Sequence, residues 1–356
     1  YLHFRLNFYS VPFAASLMFT TLGLWLWLKA TPERHPGRGE HVHVGSWSVA
    51  GAQPLSLRYL AAGAACIAAN FGCRPTFALS ALLCFPIFWP QITSLLQGLK
   101  SRSLPPRRAL RAPAAVIIPA LIVVLPLMAY NIARFGSPLD FGNDYQMTVT
   151  DMTRFVQPTA NFLPSVGAYL FLPLRFTSEF PFIGMTPIAF REWGYYEPMA
   201  GGLFTTCPLL LLALAAPFLR RRMHRSGYWG LATCSLALAV LLAVFDSHTA
   251  GLGWRYICDF GWMMAIAAPA PMLYLMHPDG DAIVASAPDP SERNEPRRDV
   301  TKRHPMVLAC VRGLVVAVLM ASIILAVLAC FIPGRDDSLI NNNPVLYDTA
   351  VAWFRL

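Results

Sequence analysis

Long apolar segments constrain the fold of this chain more than any other feature. The segments 114–132 and 203–219 contain no charged side chain. A transmembrane helix needs about 20 apolar residues to cross a hydrocarbon core about 30 Å thick. Hydrophobic residues make up 56% of the sequence and charged residues only 13%, whereas an average soluble domain is about 25% charged. The sequence therefore excludes a soluble globular protein and predicts an all-α, polytopic membrane protein.

The apolar segments predict about eight transmembrane helices in a single helical domain. The predicted spans are 11–28, a hairpin of two short helices at 59–71 and 76–89, then 114–132, 203–219, 228–245, 258–276 and 306–331. Proline interrupts the segments 162–174 and 180–190, so we predict re-entrant or interfacial pieces there. The C-terminal residues 346–356 fit a short amphipathic helix on the outer surface.

The beginning of the chain leads to a hypothesis about its completeness. The first ten residues, YLHFRLNFYS, lack an initiator Met and the layout of a signal peptide. We interpret residues 1–356 as one transmembrane domain that is a fragment lacking helices upstream of Tyr1.

Basic residues concentrate in a few loops, and this predicts an orientation in the membrane. The loops 29–58, 99–111, 220–225 and 277–305 hold most of the 28 Lys and Arg residues. Because cytoplasmic loops carry an excess of Lys and Arg, we place these loops, including the linker 277–305, in the cytoplasm. The segments 133–199 and 246–257 then lie on the extracytoplasmic face. The net charge of +9 reflects this topology, so we expect membrane lipids as partners and no nucleic acid.

One polar interval stands out in the extracytoplasmic segment. RFGSPLDFGNDYQMTVTDMTR, residues 134–154, combines carboxylates and amides with aromatic rings. Such groups suit a sugar, whose hydroxyls bond to planar acceptors and whose CH face packs on a ring. A solvated loop pinned at the membrane interface by its aromatic residues is the alternative. The candidate residues are Arg134, Asp140, Asn143, Asp144 and Tyr145.

Two further polar segments contain candidate phosphate-binding residues. NFGCRP places Arg74 at the turn between two apolar helices, where it would bind a lipid phosphate, cap helix carbonyls or snorkel. FDSHTAGLGWRYICDF places Arg255 and Asp259 four residues apart, on one helical face where they would pair. The alternative to a phosphate site here is a structural ion pair. Asp246 and His248 in this segment form a candidate acid–base pair.

A third segment, REWGYYEPM at 191–199, joins Glu192 and Glu197 to three aromatic residues. It suits a sugar platform, although the same composition is typical of the aromatic belt at a membrane interface. Motifs of other chemistries are absent from the sequence, namely GxxxxGK[ST], GxSxG, HExxH and CxxC. Nucleotide, serine hydrolase and zinc chemistry are therefore not indicated.

The two segments YNIARFGSPLDFGNDYQ and GLGWRYICDF resemble parts of a known superfamily. They are similar to the later part of bacterial GT-C membrane proteins, integral glycosyltransferases that resemble dolichyl-phosphate-mannose mannosyltransferases. The resemblance covers about residues 58–275. It implies a multispan helical fold in the bacterial inner membrane, a polyprenyl-phosphate sugar donor, and extracytoplasmic transfer without a nucleotide-sugar domain. No metal ion or other cofactor follows from the resemblance. The matching positions are Arg134, Asp140, Asn143, Tyr145, Arg255 and Tyr256.

One departure from that superfamily concerns its acidic catalytic motif, which normally lies in the first extracytoplasmic loop. Residues 1–10 contain no Asp or Glu, so the motif belongs upstream of Tyr1 or the activity differs. We predict a GT-C-like glycosyltransferase in which Asp140 or Asp144 acts as base and Arg255 or Arg74 stabilises the departing phosphate. The alternative is a non-catalytic membrane protein that binds or transports a lipid-linked glycan.

Overall fold

The computed structural model describes residues 10–31, 55–102, 105–142, 145, 155–219, 228–276, 305–334 and 338–354. These residues are mostly helical. The α-helices are α1 (Ser10–Ala30), α2 (Leu57–Cys73), α3 (Cys84–Lys100), α4 (Pro106–Ala109), α5 (Arg111–Phe135), α6 (Thr159–Phe171), α7 (Leu203–Thr206), α8 (Tyr228–Thr249), α9 (Ile257–Ala267), α10 (Pro269–Met276), α11 (Pro305–Ala329), α12 (Leu339–Asn342) and α13 (Pro344–Trp353). Three 3₁₀ segments, Pro75–Leu83, Pro208–Leu219 and Trp254–Tyr256, join or extend them. Strands β1 (Arg175–Phe176) and β2 (Ile183–Gly184) pair antiparallel.

Six helical segments are long and apolar enough to cross a membrane, as the predicted fold class requires. They are Ser10–Ala30, Pro75–Lys100, Arg111–Phe135, Tyr228–Thr249, Trp254–Met276 and Met306–Ala329. Leu57–Cys73 and Pro208–Leu219 are apolar but shorter. The structure is thus compatible with a multi-pass membrane protein, while the count of about eight spans stays a prediction. The basic loop 220–225 and the linker 277–305 fall almost wholly outside the described residues.

Three predicted segments differ from the structure. The apolar segment that we expected to end at residue 89 continues to Lys100, because Pro90 kinks α3 near Phe88 without ending it. The segment 203–219 forms the short helix α7 and then a 3₁₀ helix instead of one long α-helix. No helix forms over 180–190, where the chain instead turns through the β1–β2 pair.

Helices α1 and α2 pack closely through two glycines. A Cβ atom on Gly63 would lie 2.4 Å from the Trp27 ring and 2.9 Å from the Gly23 carbonyl oxygen. Only glycine permits this approach, which resembles the small-residue contacts of membrane helices. The Asn70 side chain donates a hydrogen bond to the Thr20 hydroxyl at 2.9 Å, which also joins the two helices.

The larger core lies between α8, α9 and the 3₁₀ segment Pro208–Leu219. Small residues on these segments are buried beside larger ones and allow close packing. The small residues include Ala213, Ala216, Ala239 and Ala243, and the larger ones include Leu242, Phe260 and Met263. Helix α8 ends at Thr249, and α9 begins at Ile257 after the turn that contains Trp254–Tyr256. This packing brings the turn between α8 and α9 to the same end of the bundle as the C-terminal end of α2.

The C-terminal helix α13 packs on the β1–β2 hairpin. The ring of Phe354 stacks on that of Phe180 with centroids 4.7 Å apart, and Phe331 lies 5.1 Å from Phe180. Asn343 caps α13 by accepting a hydrogen bond from the backbone N–H of Leu346. The predicted C-terminal helix is confirmed, while its position on a membrane surface stays a prediction.

Candidate functional site

A buried ion pair between Arg74 and Asp259 forms the centre of the candidate site. The Arg74 Nε donates to Asp259 Oδ1 at 2.6 Å, and Nη2 donates to Oδ2 at 2.5 Å. The Thr76 hydroxyl donates to the same Oδ1 at 2.7 Å. The Asp259 side chain is 0% exposed and that of Arg74 is 25% exposed. Because a guanidinium matches a carboxylate with two parallel bonds, both oxygens of this buried group have donors.

The local backbone explains why Arg74 can reach this carboxylate. Residue 74 leaves α2 in an extended conformation, with φ −148° and ψ 105°, and Pro75 begins the next helical segment. Proline disfavours helical geometry in the residue before it, so the chain turns at Arg74. The guanidinium lies 4.1 Å from the centroid of the Phe13 ring, which shields one face.

A second ion pair, between Arg255 and Glu197, lies beside the first. Arg255 Nη1 is 3.3 Å from Glu197 Oε1, and the Tyr195 hydroxyl donates to the same oxygen at 3.0 Å. Arg255 lies in the 3₁₀ turn before α9, so it is not on one α-helical face with Asp259. The predicted Arg255–Asp259 pair is therefore wrong, because each residue pairs with a group from another segment.

The ring of Tyr256 joins the two ion pairs. The guanidinium carbons of Arg74 and Arg255 lie 5.4 Å and 5.1 Å from its centroid. Arg255 Nη2 also donates to the Tyr256 hydroxyl oxygen at 3.2 Å. Four predicted residues, Arg74, Arg255, Tyr256 and Asp259, are thus brought together at one end of the bundle. We name them, with Glu197 and Tyr195, the two-arginine cluster.

A buried tyrosine holds the turn that carries Arg255. The Tyr169 hydroxyl donates to the carbonyl oxygen of Gly251 and accepts from the N–H of Gly253, both at 2.9 Å. A Cβ atom on Gly253 would lie 2.7 Å from the Tyr256 ring, so the turn passes close to the cluster. Burial raises the pKa of the Tyr169 hydroxyl well above its ordinary value, which keeps this group protonated as a donor.

The segment 195–197 is fixed to the same turn by backbone hydrogen bonds. The N–H of Glu197 donates to the Leu252 carbonyl at 2.7 Å, and the N–H of Leu252 donates to the Tyr195 carbonyl at 3.0 Å. Burial, together with the neighbouring charge of Glu197, raises the pKa of the Tyr195 hydroxyl above its ordinary value. Tyr195 therefore stays protonated and donates to Glu197.

Asp246, near the C-terminal end of α8, is buried next to the two-arginine cluster. It is 3% exposed, and its Oδ2 has no hydrogen-bond partner among the described residues. Its charge interacts with those of Asp259 and Arg74. His248 is exposed and contacts the ring of Phe162 at 6.0 Å. The structure does not bring Asp246 and His248 together, because residues two apart on a helix point to different faces.

The predicted residues of the segment 134–154 lie apart from the ion pairs, as far as the structure describes them. Asp140 Oδ1 accepts a hydrogen bond from the Gly142 N–H at 2.7 Å, and Arg134 donates to the Tyr130 hydroxyl oxygen at 2.8 Å. Tyr145 contacts the Phe135 ring at 5.5 Å.

This loop nevertheless packs on α2 close to the cluster. The ring of Phe141 contacts that of Phe71, three residues before Arg74, at 5.3 Å. Asn143 and Asp144 are outside the described residues. The loop therefore supplies a wall beside α2, and its contact with this helix rests on aromatic packing.

Sequence reasoning missed two contributors to the site, Thr76 and Tyr169. Both lie in apolar segments, and their partners are a distant carboxylate and two backbone groups. No spacing in the sequence indicates such contacts. Among the residues that the structure describes, no group of three or more His, Cys, Asp or Glu side chains could hold a metal ion.

No family model, curated protein or solved structure matches this chain. The resemblance to GT-C glycosyltransferases therefore rests on the sequence segments alone.

Proposed function

We propose that the protein is a GT-C-like membrane glycosyltransferase that uses a polyprenyl-phosphate sugar donor on the extracytoplasmic face. The observation that supports this proposal is the convergence of Arg74 and Arg255 on the Tyr256 ring beside a further buried carboxylate, Asp246. Glycosyl transfer requires a base for the acceptor hydroxyl and a cation for the departing phosphate. Asp246 could supply the base, and the neighbouring arginines could supply the cation.

The contacts of the two arginines suggest different roles. Arg74 is bound by two short hydrogen bonds to a fully buried partner, so its charge stabilises Asp259 and the fold. Arg255 contacts Glu197 at 3.3 Å, a longer and weaker approach than either bond of Arg74. We therefore assign the departing phosphate to Arg255. Asp140, with Asp144 outside the described residues, stays a candidate for contact with the sugar or its acceptor.

The test measures sugar transfer in membranes that contain the protein. Polyprenyl phosphates carrying different radiolabelled hexoses are supplied, and the label is followed from the lipid extract to the acceptor fraction. We expect Arg255→Ala to abolish transfer while the protein still accumulates normally. Arg175→Ala is the matched control, because this exposed arginine lies on β1, outside the two-arginine cluster. Full transfer by normally accumulating Arg255→Ala and Asp140→Asn variants would contradict these assignments.

A second candidate function is the binding or transport of a lipid-linked glycan without catalysis. One observation favours it: both arginines are already paired with carboxylates, and Asp140 is held by its own loop. This function predicts that the wild-type protein binds the labelled polyprenyl-phosphate hexose and leaves it intact. Release of free polyprenyl phosphate with transfer of the label would exclude this alternative.

A further inference from the structure

Among the described residues, the charges around the two-arginine cluster do not balance. Three buried carboxylates, those of Asp246, Asp259 and Glu197, face two guanidinium groups. Asp259 pairs with Arg74, and Glu197 pairs with Arg255. Asp246 therefore has no cationic partner among the described residues. An isolated buried carboxylate is costly, since water no longer stabilises its charge. An ionisable residue in a membrane helix therefore indicates a functional group.

Asp246 lacks the contacts that mark a structural carboxylate. Asp259 accepts three side-chain hydrogen bonds, two from Arg74 and one from Thr76. By contrast, Asp246 Oδ2 has no partner among the described residues. The next residue, Ser247, is satisfied within its own helix by donating to the Ala243 carbonyl at 2.7 Å. The free oxygen of Asp246 is thus a buried acceptor that a ligand hydroxyl could satisfy.

The position of Asp246 also fits a role in the site. The carboxylate is close enough to Arg74 and Asp259 for their charges to interact. It lies near the end of α8, four residues before Ala250 and the turn that Tyr169 fixes. The carboxylate is therefore held on a helix, next to a rigid turn that carries the phosphate-binding candidate Arg255.

We infer that Asp246 is the catalytic base of this site and binds the hydroxyl group of a sugar or polyol acceptor. This inference rests on the proposed glycosyltransferase function. In the reaction, the acceptor oxygen forms a bond to the anomeric carbon of the donor while its proton passes to Asp246. The bond between the anomeric carbon and the phosphate oxygen breaks, and its electron pair leaves with polyprenyl phosphate. The proton then returns from Asp246 to water.

The experiment compares Asp246→Asn with Asp259→Asn, two nearly isosteric changes of buried carboxylates. We expect Asp246→Asn to lower transfer by about 10²–10⁴-fold, the contribution of a general base. Its thermal unfolding midpoint in detergent should equal or exceed that of the wild type, because an unpaired charge is removed. Asp259→Asn should instead lower the midpoint by about 5 °C or more, since Arg74 loses its partner.

A second variant separates a chemical role from a packing role. Asp246→Ala should be inactive and should regain part of its transfer activity when formate is added, because formate supplies an external carboxylate. A structural role predicts no such rescue. An Asp246→Asn protein that transfers at the wild-type rate, or that loses stability as Asp259→Asn does, overturns the inference alone. A wild-type protein that transfers none of the polyprenyl-phosphate hexoses overturns the proposed function and the inference together.

Discussion

The Arg74–Asp259 pair provides the strongest test of how α2 packs near α9. In an Arg74→Met variant, the Asp259 carboxylate stays buried at 0% exposure and retains only the hydrogen bond from Thr76. Breaking a buried ion pair by removing one partner costs about 3–5 kcal/mol. Arg74 is itself 25% exposed, so some solvent reaches the pair and we expect a loss near the lower value, about 3 kcal/mol. The double variant Arg74→Met/Asp259→Leu should recover most of this loss, because it removes both charges.

The assay for this pair is a double-mutant cycle on the purified protein in detergent. Reversible unfolding of the wild type, both single variants and the double variant is followed by circular dichroism. A coupling free energy of about 2 kcal/mol or more is expected for residues in direct contact. Arg175→Ala, an exposed change, should stay within about 0.5 kcal/mol of the wild type. Single variants as stable as this control would refute the buried pair.

Two further predictions concern helix packing and alkaline pH. Gly63→Ala places a methyl group 2.4 Å from the indole ring of Trp27 in α1. We therefore expect the free energy of unfolding to fall by about 1–3 kcal/mol, with a lower thermal unfolding midpoint. Gly313→Ala is the control and should not lower the midpoint, because its methyl group would meet no atom within 4 Å. Burial and the charge of Glu197 raise the pKa of Tyr195 in the folded state. Below the ordinary tyrosine pKa of about 10, this side chain therefore adds no pH dependence to the stability of the protein. Above that pH the hydroxyl ionises in the unfolded state first, so the free energy of unfolding falls as the pH rises. Midpoints measured from pH 8 to 11 should therefore fall less steeply in Tyr195→Phe than in the wild type, and equal slopes would contradict this role.

Hydropathy predicted most of the helices well. The predicted spans 11–28, 114–132 and 228–245 lie inside α1, α5 and α8. These segments are strongly apolar over the length that a bilayer requires, so their identity does not depend on distant residues. The segment 208–219 is equally apolar, yet it forms a 3₁₀ helix. Composition alone cannot separate these two helical geometries, because both satisfy the backbone internally.

The charged residues of the site were predictable from the sequence, but the pairing between them was not. Arg74, Arg255 and Asp259 stood out because charged groups are costly in apolar surroundings. The spacing of four residues favoured an Arg255–Asp259 pair, but the 3₁₀ turn at Trp254–Tyr256 places Arg255 before the helix. The actual partner of Asp259 is 185 residues away in the sequence. Such a contact depends on how α2 and α9 pack, which local periodicity does not specify.

The distance along the chain between Arg74 and Asp259 has a consequence for biogenesis. Because 185 residues separate them, α2 is synthesised long before its carboxylate partner emerges. During that interval we expect the guanidinium to remain hydrated among the lipid headgroups, reached by its flexible stem. Pairing with Asp259 then leaves the Arg74 side chain only 25% exposed. A more exposed Arg74 at the C-terminal end of α2 thus distinguishes an immature chain from an assembled one.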